Sequence, residues 1–241
     1  MILYGRNAVH EALRGRRSQR VREIWATTGA AREPWLAEQP VRVASAQEIE
    51  GRCGSDSHQG VCADAGAFPY VDATALLRSQ PEPLLVALDQ VQDPQNLGSI
   101  CRTAECAGAS GVVVPERRAA EVTPAVCKAS AGAVEHLPIA RVRNLADFLV
   151  EARAAGCWCY GASAEDQAAV PYDRPDYGGA GVVLVLGSEG HGLRPRVASA
   201  CDELIALPVR GRIGSLGVSA AAAAIMYEIL QIRARGLDKA P

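Results

Sequence analysis

Residues 181–228 read GVVLVLGSEGHGLRPRVASACDELIALPVRGRIGSLGVSAAAAAIMYE, and this stretch decides the fold class. Its first part, 182–186, is apolar and β-branched and ends at the glycine-rich loop 187–192, as a buried parallel strand does when it opens beside a ligand. A second predicted strand, 204–209, leads into an alanine-rich helix predicted over 218–235. Ligands of open α/β sheets bind beyond the carboxyl ends of strands, so these loops form the predicted site.

The spacing of these loops limits the class of ligand. It matches neither the dinucleotide fingerprint G-x-G-x-x-G nor the phosphate loop, and Glu189 stands where a pyrophosphate needs N–H donors and positive charge. A phosphate cradle is therefore disfavoured. A ligand that carries positive charge, or that is held by backbone contacts to an adenine and a ribose, tolerates this carboxylate. S-adenosylmethionine has both features.

The chain around this stretch alternates between predicted strands and helices. From residue 84 onward six strands are predicted, namely 84–88, 111–114, 137–142, 158–162, 182–186 and 204–209. With helices between the strands, the pattern predicts an α/β domain with a largely parallel sheet. The first helix is predicted over 97–107, with Asn96 as its N-cap and Gly108 at its end.

Residues 1–70 are predicted to form a smaller αβ unit, interpreted as a binding module or as a structural one. Its predicted helices are 4–13, 31–38 and 46–51, and its predicted strands are 21–27, 41–44 and 58–63. Prolines at 69, 81 and 83 mark a change in composition. We therefore predict one domain over 1–72, a linker over 73–82 and a second domain over 83–241.

Composition excludes several classes of protein. The chain has 241 residues and a formal charge of −2, which argues against a surface coated with basic residues. No apolar run approaches ~18 residues and residues 1–6 lack a signal-peptide layout, so a cytoplasmic protein without a membrane span is expected. The eight cysteines form no C-x-x-C pair and none is grouped with His at zinc-ligand spacing, so we expect reduced thiols and no metal.

The positive charge is almost entirely arginine and is clustered. The clusters lie at 14–22, 117–118, 141–143, 194–196 and 210–212. Arginine forks suit phosphate oxygens and stack on bases, which slightly favours RNA as a partner. A high-GC genome that supplies arginine on solvated faces explains the same composition, and both explanations stand at this point.

A second informative segment follows the first strand of the α/β domain. Residues 93–102 read DPQNLGSICR, and Arg102 is predicted on the same helix face as Gly98 and Ser99. Gly98 permits the close approach of another backbone. The alternative to a functional role is an i,i+3 surface pair between Arg102 and Glu105.

Three segments taken together resemble a known family. They are D-P-x-N-x-G-x-x-x-R at 93–102, G-S-E-G-x-G at 187–192 and P-x-x-G-x-x-x-S-L-x-V-S at 208–219. In this order they resemble the motifs of the SpoU (TrmH-like) branch of SPOUT RNA 2′-O-ribose methyltransferases. The segments YGRNAV at 4–9 and HQGV at 58–61 are similar to the L30e-like substrate-binding domain of that family. The pairing is most similar to enzymes that methylate a guanosine of 23S rRNA.

The resemblance implies the fold details, the cofactor and the partners. It implies a trefoil knot in the last part of the catalytic domain, where periodicity alone predicts unknotted connections. It also implies S-adenosylmethionine held by the knotted loops, RNA as substrate, and a homodimer whose active site uses both chains. The implied cofactor-binding residues are Gly187, Ser188, Gly190, Leu207, Pro208, Ser215 and Leu216. The implied RNA-binding residues are Arg6, Asn7, His58 and Gln59.

The implied catalytic residues are Arg102, Asn96, Glu189, Ser215 and Ser219. The family gives the central role to the arginine that matches Arg102, often as a general base. Lowering a guanidinium pKa from above 12 to about 7 costs roughly 7 kcal/mol, so a cation that stabilises the developing alkoxide or grips a phosphate is cheaper. Asn96 is expected to orient Arg102 or the ribose. Glu189 is expected to anchor the arginine or the substrate, or to cap the following turn.

One position departs from the family pattern. Gly217 stands where S-L-N-V-S usually has Asn, so a side-chain hydrogen bond to donor or substrate is missing. We expect a tuned or slower enzyme, because the loss of such a bond typically costs about 0.5–1.5 kcal/mol. The alternatives are a tRNA 2′-O-methyltransferase, a resistance methyltransferase acting on rRNA, and a non-catalytic RNA-binding assembly factor.

Overall fold

The computed structural model describes residues 1–164, 166 and 168–237 of the chain. The chain forms two compact units. The first comprises Met1–Pro69 and Glu121–His136, and the second comprises Tyr70–Ala120 and Leu137–Pro241. The domain boundaries at 72 and 83 stay a prediction, to which the structure adds that residues 121–136 pack as part of the first unit.

A four-stranded sheet forms the centre of the first unit. Its elements are β1 (Ile2–Tyr4), α1 (Arg6–Arg14), β2 (Glu23–Ala26), β3 (Val41–Val43), α2 (Ala46–Cys53) and β4 (Val61–Asp64). The strand order is β1-β4-β2-β3, with β4 antiparallel to both neighbours and β3 parallel to β2. Trp25, Ile49 and Cys62 pack together in its core.

The structure corrects the local predictions for the first unit. Tyr4, predicted as the first residue of a helix, is the last residue of β1, a strand that was not predicted. The helix predicted over 31–38 is wrong, because the structure has two short 3-10 helices there, Ala30–Arg32 and Pro34–Leu36. Pro34 has no N–H to donate and disfavours helical geometry at the residue before it, so a continuous helix is interrupted. The strand predicted from 58 begins only at Val61, because Asp56–His58 forms a 3-10 helix.

Among the described residues, the second unit contains a sheet of seven strands, all parallel. Its elements are α3 (Ala73–Leu77), β5 (Leu84–Asp89), α4 (Pro94–Cys106), β6 (Gly111–Pro115), then, after α5 (Pro124–Ala129) of the first unit, β7 (Ile139–Val142), α6 (Leu145–Ala154), β8 (Cys157–Ala162), β9 (Val170–Pro171), β10 (Gly181–Gly187), α7 (Pro195–Ala198), β11 (Glu203–Ala206) and α8 (Val218–Leu237). The strand order is β7-β6-β5-β10-β8-β11-β9. The predicted α/β class with a largely parallel sheet is confirmed.

Strand β10 lies between β5 and β8, and residues 181–186 of β10 are buried on both faces. This explains its unbroken apolar sequence, since a central parallel strand is covered on both sides. The helix α8 packs against α4 and β10, and thereby brings the start of α8 to the motif that begins α4. No helix within the described ranges has the length and hydropathy that a bilayer span requires.

Two details of the second unit differ from prediction. The sheet has a further strand, the two-residue β9, which pairs with β11 and is too short for a periodic pattern to reveal. The helix α4 begins at Pro94 with Asp93 as its N-cap, so the assignment of Asn96 as N-cap is wrong. Asp93 accepts a hydrogen bond from the Gln95 N–H at 3.0 Å. Proline is favoured at the first helical position because it lacks an N–H that would go unsatisfied there.

Candidate functional site

The carboxyl ends of β5 and β10 lie side by side. In the parallel register Gly187, the last residue of β10, is opposite Asp89, the last residue of β5. The loop after Gly187 folds back on itself through two hydrogen bonds. The Ser188 N–H donates to the Gly192 carbonyl at 3.2 Å, and the Gly192 N–H donates to the Ser188 carbonyl at 3.0 Å. A Cβ atom on Gly187 would lie 2.1 Å from the Gly192 carbonyl carbon, so only glycine fits at this position.

A buried carboxylate holds the far end of this loop. Asp89 is fully buried, and its Oδ2 accepts a hydrogen bond from the backbone N–H of Arg194 at 2.9 Å. Its Oδ1 lies 2.8 Å from Arg194 Nε and 2.7 Å from Nη2. The loop 187–193 is therefore fastened at one end by β10 and at the other by this ion pair, which limits its freedom before any ligand binds.

The loop borders a cavity of about 650 Å³, within the usual range for a small-molecule site. Leu186, Leu207 and Ile225 supply apolar walls, and Ser188 supplies a hydroxyl. The described residues that line it include two carboxylates and neither arginine nor lysine. This chemistry fits a ligand with an apolar body and positive charge, such as S-adenosylmethionine, and disfavours a phosphate.

Most of the residues expected to bind the cofactor lie around this cavity. Gly187, Ser188, Gly190, Leu207, Ser215 and Leu216 line it, and so does Glu189, which was expected to be catalytic. Pro208 is exposed and does not line it, although its neighbour Leu207 does. Ser219 is half-buried in the first turn of α8 and lines neither this cavity nor the next one described.

A second cavity, of about 600 Å³, adjoins the first. The two share Ser188, Glu189, His191 and Val218, so their occupants would lie next to each other. Asn96 lines the second cavity, together with residues from the segment 90–93 and with Arg118. The structure thus brings Asn96 and Glu189, both expected to be catalytic, to the same cavity.

Arg102 lines neither cavity. Its side chain is exposed on α4, and no carboxylate among the described residues lies within ion-pair distance of its guanidinium. The surface pair with Glu105, the structural alternative for Arg102, is therefore not formed. An exposed arginine that forms no ion pair within the described part of its own chain is available to a ligand or to another subunit.

In the first unit, the residues expected to bind RNA form one small group with a single exception. Arg6, Asn7 and Gln59 are exposed, and Gln59 Oε1 accepts a hydrogen bond from the Arg6 backbone N–H at 2.9 Å. The Arg6 guanidinium lies 2.7 Å from Glu33. His58 is buried instead, and its Nδ1 accepts from the Gly60 N–H at 2.9 Å, which stabilises the turn before β4.

Two features of the second cavity were not predicted from the sequence. Gln90 and Arg118 have φ values of 61° and 57°, in the left-handed region that non-glycine residues rarely adopt. Arg118 belongs to the arginine cluster 117–118, and nothing in the sequence distinguishes it from Arg117. No group of three or more potential metal ligands occurs in the part of the chain that the structure describes.

Comparison with known proteins decides the family. The model of the SpoU rRNA methylase family matches residues 83–227. A model described as RNA 2′-O ribose methyltransferase substrate binding matches residues 2–71. The chain belongs to the SpoU rRNA methylase family. It is therefore an RNA methyltransferase, as the three motifs indicated.

Relatives in the SpoU family match over nearly the whole chain. YacO of Bacillus subtilis (strain 168), assigned to the TrmH family of tRNA/rRNA methyltransferases, is 38% identical over 95% of this chain and 94% of its own length. An rRNA methyltransferase from Sinorhizobium meliloti, solved with AdoMet bound, has a TM-score of 0.78 and 28% identity, covering 95% of this chain and 86% of its own. AviRb, a SpoU methyltransferase from Streptomyces viridochromogenes, has a TM-score of 0.81 and 26% identity, with coverages of 98% and 90%.

Proposed function

We propose that the chain transfers a methyl group from S-adenosylmethionine to the ribose 2′-hydroxyl of a guanosine in 23S rRNA. The observation that carries this proposal is the pair of adjoining cavities, which places a cationic-ligand site beside a polar one at the ends of β5 and β10. The match of residues 2–71 to a substrate-binding model supports RNA as the partner. The rRNA methyltransferase from Sinorhizobium meliloti supports a ribosomal substrate, which would be met in the cytoplasm.

S-adenosylmethionine is the methyl donor, since two structural neighbours are described with AdoMet and the first cavity fits its chemistry. When bound, it supplies an electrophilic methyl group on a sulfonium. The residues that would hold it are Gly187, Ser188, Gly190, Leu207, Ser215 and Leu216. Glu189, with a carboxylate at the border of both cavities, would counter the positive charge and orient the reacting groups.

Arg102 is proposed to act on the ribose hydroxyl as a positioned cation rather than as a literal base. A guanidinium that stays protonated stabilises a developing alkoxide or binds a neighbouring phosphate, and the hydroxyl proton would pass to water. Because Arg102 lines neither cavity, the homodimer that the resemblance implies accounts for its position, with each Arg102 serving the site of its partner. Asn96 would contact the ribose. We also propose that the last part of the catalytic domain forms the trefoil knot that the resemblance implies.

The test is transfer of labelled methyl from S-adenosylmethionine to unmodified 23S rRNA and to bulk tRNA, with mapping of the modified atom. Incorporation at a guanosine 2′-oxygen of 23S rRNA, lost in Arg102→Ala, is the expected result. We expect the Arg102→Ala protein to bind S-adenosylmethionine as wild type does, since Arg102 is outside the walls of the first cavity. Incorporation into tRNA alone would redirect the proposal to a tRNA 2′-O-methyltransferase.

Gly217 motivates a second candidate, a non-catalytic RNA-binding assembly factor. The position usually supplies an Asn side chain in this family, and here it supplies none. Tight binding of S-adenosylmethionine and RNA without product from either RNA would favour this candidate. A protein that bound no S-adenosylmethionine would contradict the methyltransferase proposal itself.

A further inference from the structure

Among the described residues that line the second cavity, Arg118 is the only arginine or lysine. The other polar side chains there are the amides of Gln90, Gln92 and Asn96, with His191, Ser188 and the carboxylates of Asp93 and Glu189. Asp93 already serves as the N-cap of α4. A nucleotide needs one cation for its phosphate and neutral groups for its hydroxyls and base edges, and this set of side chains provides both.

Arg118 is free to bind such a phosphate. Its side chain is exposed, and among the described residues no carboxylate lies within ion-pair distance of it. The neighbouring Arg117 is equally exposed but does not line the cavity. The two adjacent arginines therefore differ in position relative to the site and not in charge.

The backbone around Arg118 is held at both ends. The Glu116 N–H donates to the Val142 carbonyl at 2.9 Å, and the Ala120 N–H donates to the Val91 carbonyl at 2.9 Å. Between these bonds Arg118 has a φ of 57°, and Gln90, which lines the same cavity, has a φ of 61°. Left-handed geometry at a non-glycine residue persists only where the surrounding structure enforces it, and such residues concentrate at ligand sites.

We propose that Arg118 binds a phosphate of the target nucleotide, whose ribose and base occupy the second cavity next to the methyl donor. The proposal rests on the proposed function and adds a substrate-binding residue to it. Arg118 pairs with the RNA backbone and carries no information about the base. Gln90 and Gln92 line the same cavity, where their amides would bind the remainder of the nucleotide.

The experiment compares Arg118→Ala with Arg117→Ala as a matched control. Charge-assisted hydrogen bonds are worth about 1.5–3 kcal/mol, so Arg118→Ala is expected to raise the KM for unmodified 23S rRNA by about ten- to a hundredfold. Its Kd for S-adenosylmethionine should equal that of wild type, and Arg117→Ala should leave both constants unchanged. Arg118→Lys keeps the charge but loses the fork, and should recover part of the affinity.

The salt dependence of RNA binding gives a second readout that a merely structural role would not change. One phosphate contact fewer lowers the slope of log K against log salt by about 0.7 for single-stranded RNA. This decrease is expected in Arg118→Ala and not in Arg117→Ala. Arg118→Gly removes the side chain while relieving the left-handed geometry, so it should fold at least as well as wild type and bind RNA as weakly as Arg118→Ala.

Three results would overturn the proposal. The first is an equal effect of Arg118→Ala and Arg117→Ala on the KM for RNA, and the second is a wild-type KM for RNA in Arg118→Gly. The third is a higher Kd for S-adenosylmethionine in Arg118→Ala, which would mean that Arg118 binds the methyl donor. A wild-type protein that methylates no RNA contradicts the proposed function instead. In that case the salt slope of binding to the 23S rRNA transcript still decides whether Arg118 contacts a phosphate.

Discussion

Asp89 and Arg194, 105 residues apart in sequence, meet at the end of the central strands. The carboxylate is fully buried, whereas the side chain of Arg194 is 44% exposed. Both the guanidinium and the backbone N–H of Arg194 bond to the carboxylate. The pair therefore joins the end of β5 to the loop that borders the first cavity. We expect its two partners to respond differently to substitution.

Arg194→Ala should destabilise the protein more than Asp89→Asn. Arg194→Ala leaves a buried carboxylate without its charged partner, at a cost of about 3 kcal/mol. In Asp89→Asn the exposed arginine can turn to water, which limits the cost of that substitution to about 1.5 kcal/mol. Urea unfolding measures both. The control is Arg196→Ala, whose ion pair with Asp147 is mostly exposed and is worth no more than about 0.5 kcal/mol. The opposite order of the two values would contradict this account.

Gly187→Ala should weaken binding of S-adenosylmethionine by about tenfold or more, since the added Cβ would lie 2.1 Å from the Gly192 carbonyl carbon and must displace the loop. Isothermal titration calorimetry gives the Kd. Gly211→Ala is a suitable control, because, its chain neighbours apart, no described residue has an atom within 4 Å of a Cβ at that position. Unchanged binding in the Gly187 variant would show that the loop does not contact the donor.

Gly217→Asn should fold and improve catalysis. Gly217 has a φ of 76°, which asparagine tolerates better than most residues, and a Cβ there would lie 3.5 Å from Glu189 Oε1, an ordinary contact. A restored side-chain hydrogen bond would raise kcat/KM by about two- to tenfold. Gly217→Val, with a branched Cβ in left-handed geometry, should instead lower the free energy of unfolding. A lower kcat/KM in the Asn variant would show that the site is adapted to glycine.

Arg17 and Glu135 form a fully buried ion pair in the first unit, and loss of one partner should strongly destabilise that unit. Burial lowers the pKa of Arg17, but the hydrogen bond and charge of Glu135 outweigh burial and leave that pKa raised. Because the folded pKa exceeds the unfolded one, the stabilisation is fully present below the ordinary arginine pKa and is lost only as pH rises above it. Glu135→Gln should cost about 3–5 kcal/mol by leaving Arg17 without its counter-charge.

The double variant Arg17→Met, Glu135→Leu tests that assignment, because replacing both charges with apolar groups is often close to neutral. Unfolding in urea should show the double variant to be more stable than Glu135→Gln alone. Arg42→Ala, which removes an exposed ion pair with Glu23, serves as the control with an effect of no more than about 0.5 kcal/mol. A double variant as unstable as the single one would mean that the charges act through some other contact.

Alkylation of the native protein at pH 8 should modify Cys106 first. Its thiol is exposed, whereas burial raises the pKa of Cys62 to about 11 and that of Cys127 and Cys201 to about 12. A thiol of pKa 12 is ionised in only about one molecule in ten thousand at this pH, and the thiolate is the reactive form. Mass spectrometry identifies the modified residues, with Cys106→Ser as control. Early labelling of Cys127 would show that its surroundings open readily.

Regular elements of the fold could be predicted from sequence, and their ends less well. The strand at 182–186 follows from an unbroken run of apolar residues, and the helix from 218 follows from its alanine content. The predicted cap of α4 is wrong because proline favours the first helical position, so that the helix begins at Pro94, before Asn96. Proline at 34 likewise outweighed a helical pattern in the first unit.

The site was predictable where it is local and not where it depends on distant residues. The glycine loop 187–192 and residues 215–216 follow from motifs, and they meet around one cavity. Asp89 and Arg194 are 105 residues apart in sequence, so no local sequence pattern predicts the bond between them. The left-handed backbone of Arg118 arises from hydrogen bonds to residues 91 and 142, which a local pattern does not encode.

Residues 121–136 complete the first unit although they lie within the sequence of the catalytic domain. Glu135 in that segment is the counter-charge of Arg17, and a Cβ on Gly15 would collide with the Glu135 backbone. The first 72 residues are therefore not an interchangeable cassette. A chimera that carries them on the catalytic domain of another family member would contain a buried arginine and a tight glycine contact without their partners. Those partners are encoded about fifty residues or more beyond the junction, so the chimera would also need residues 121–136 of this chain to fold.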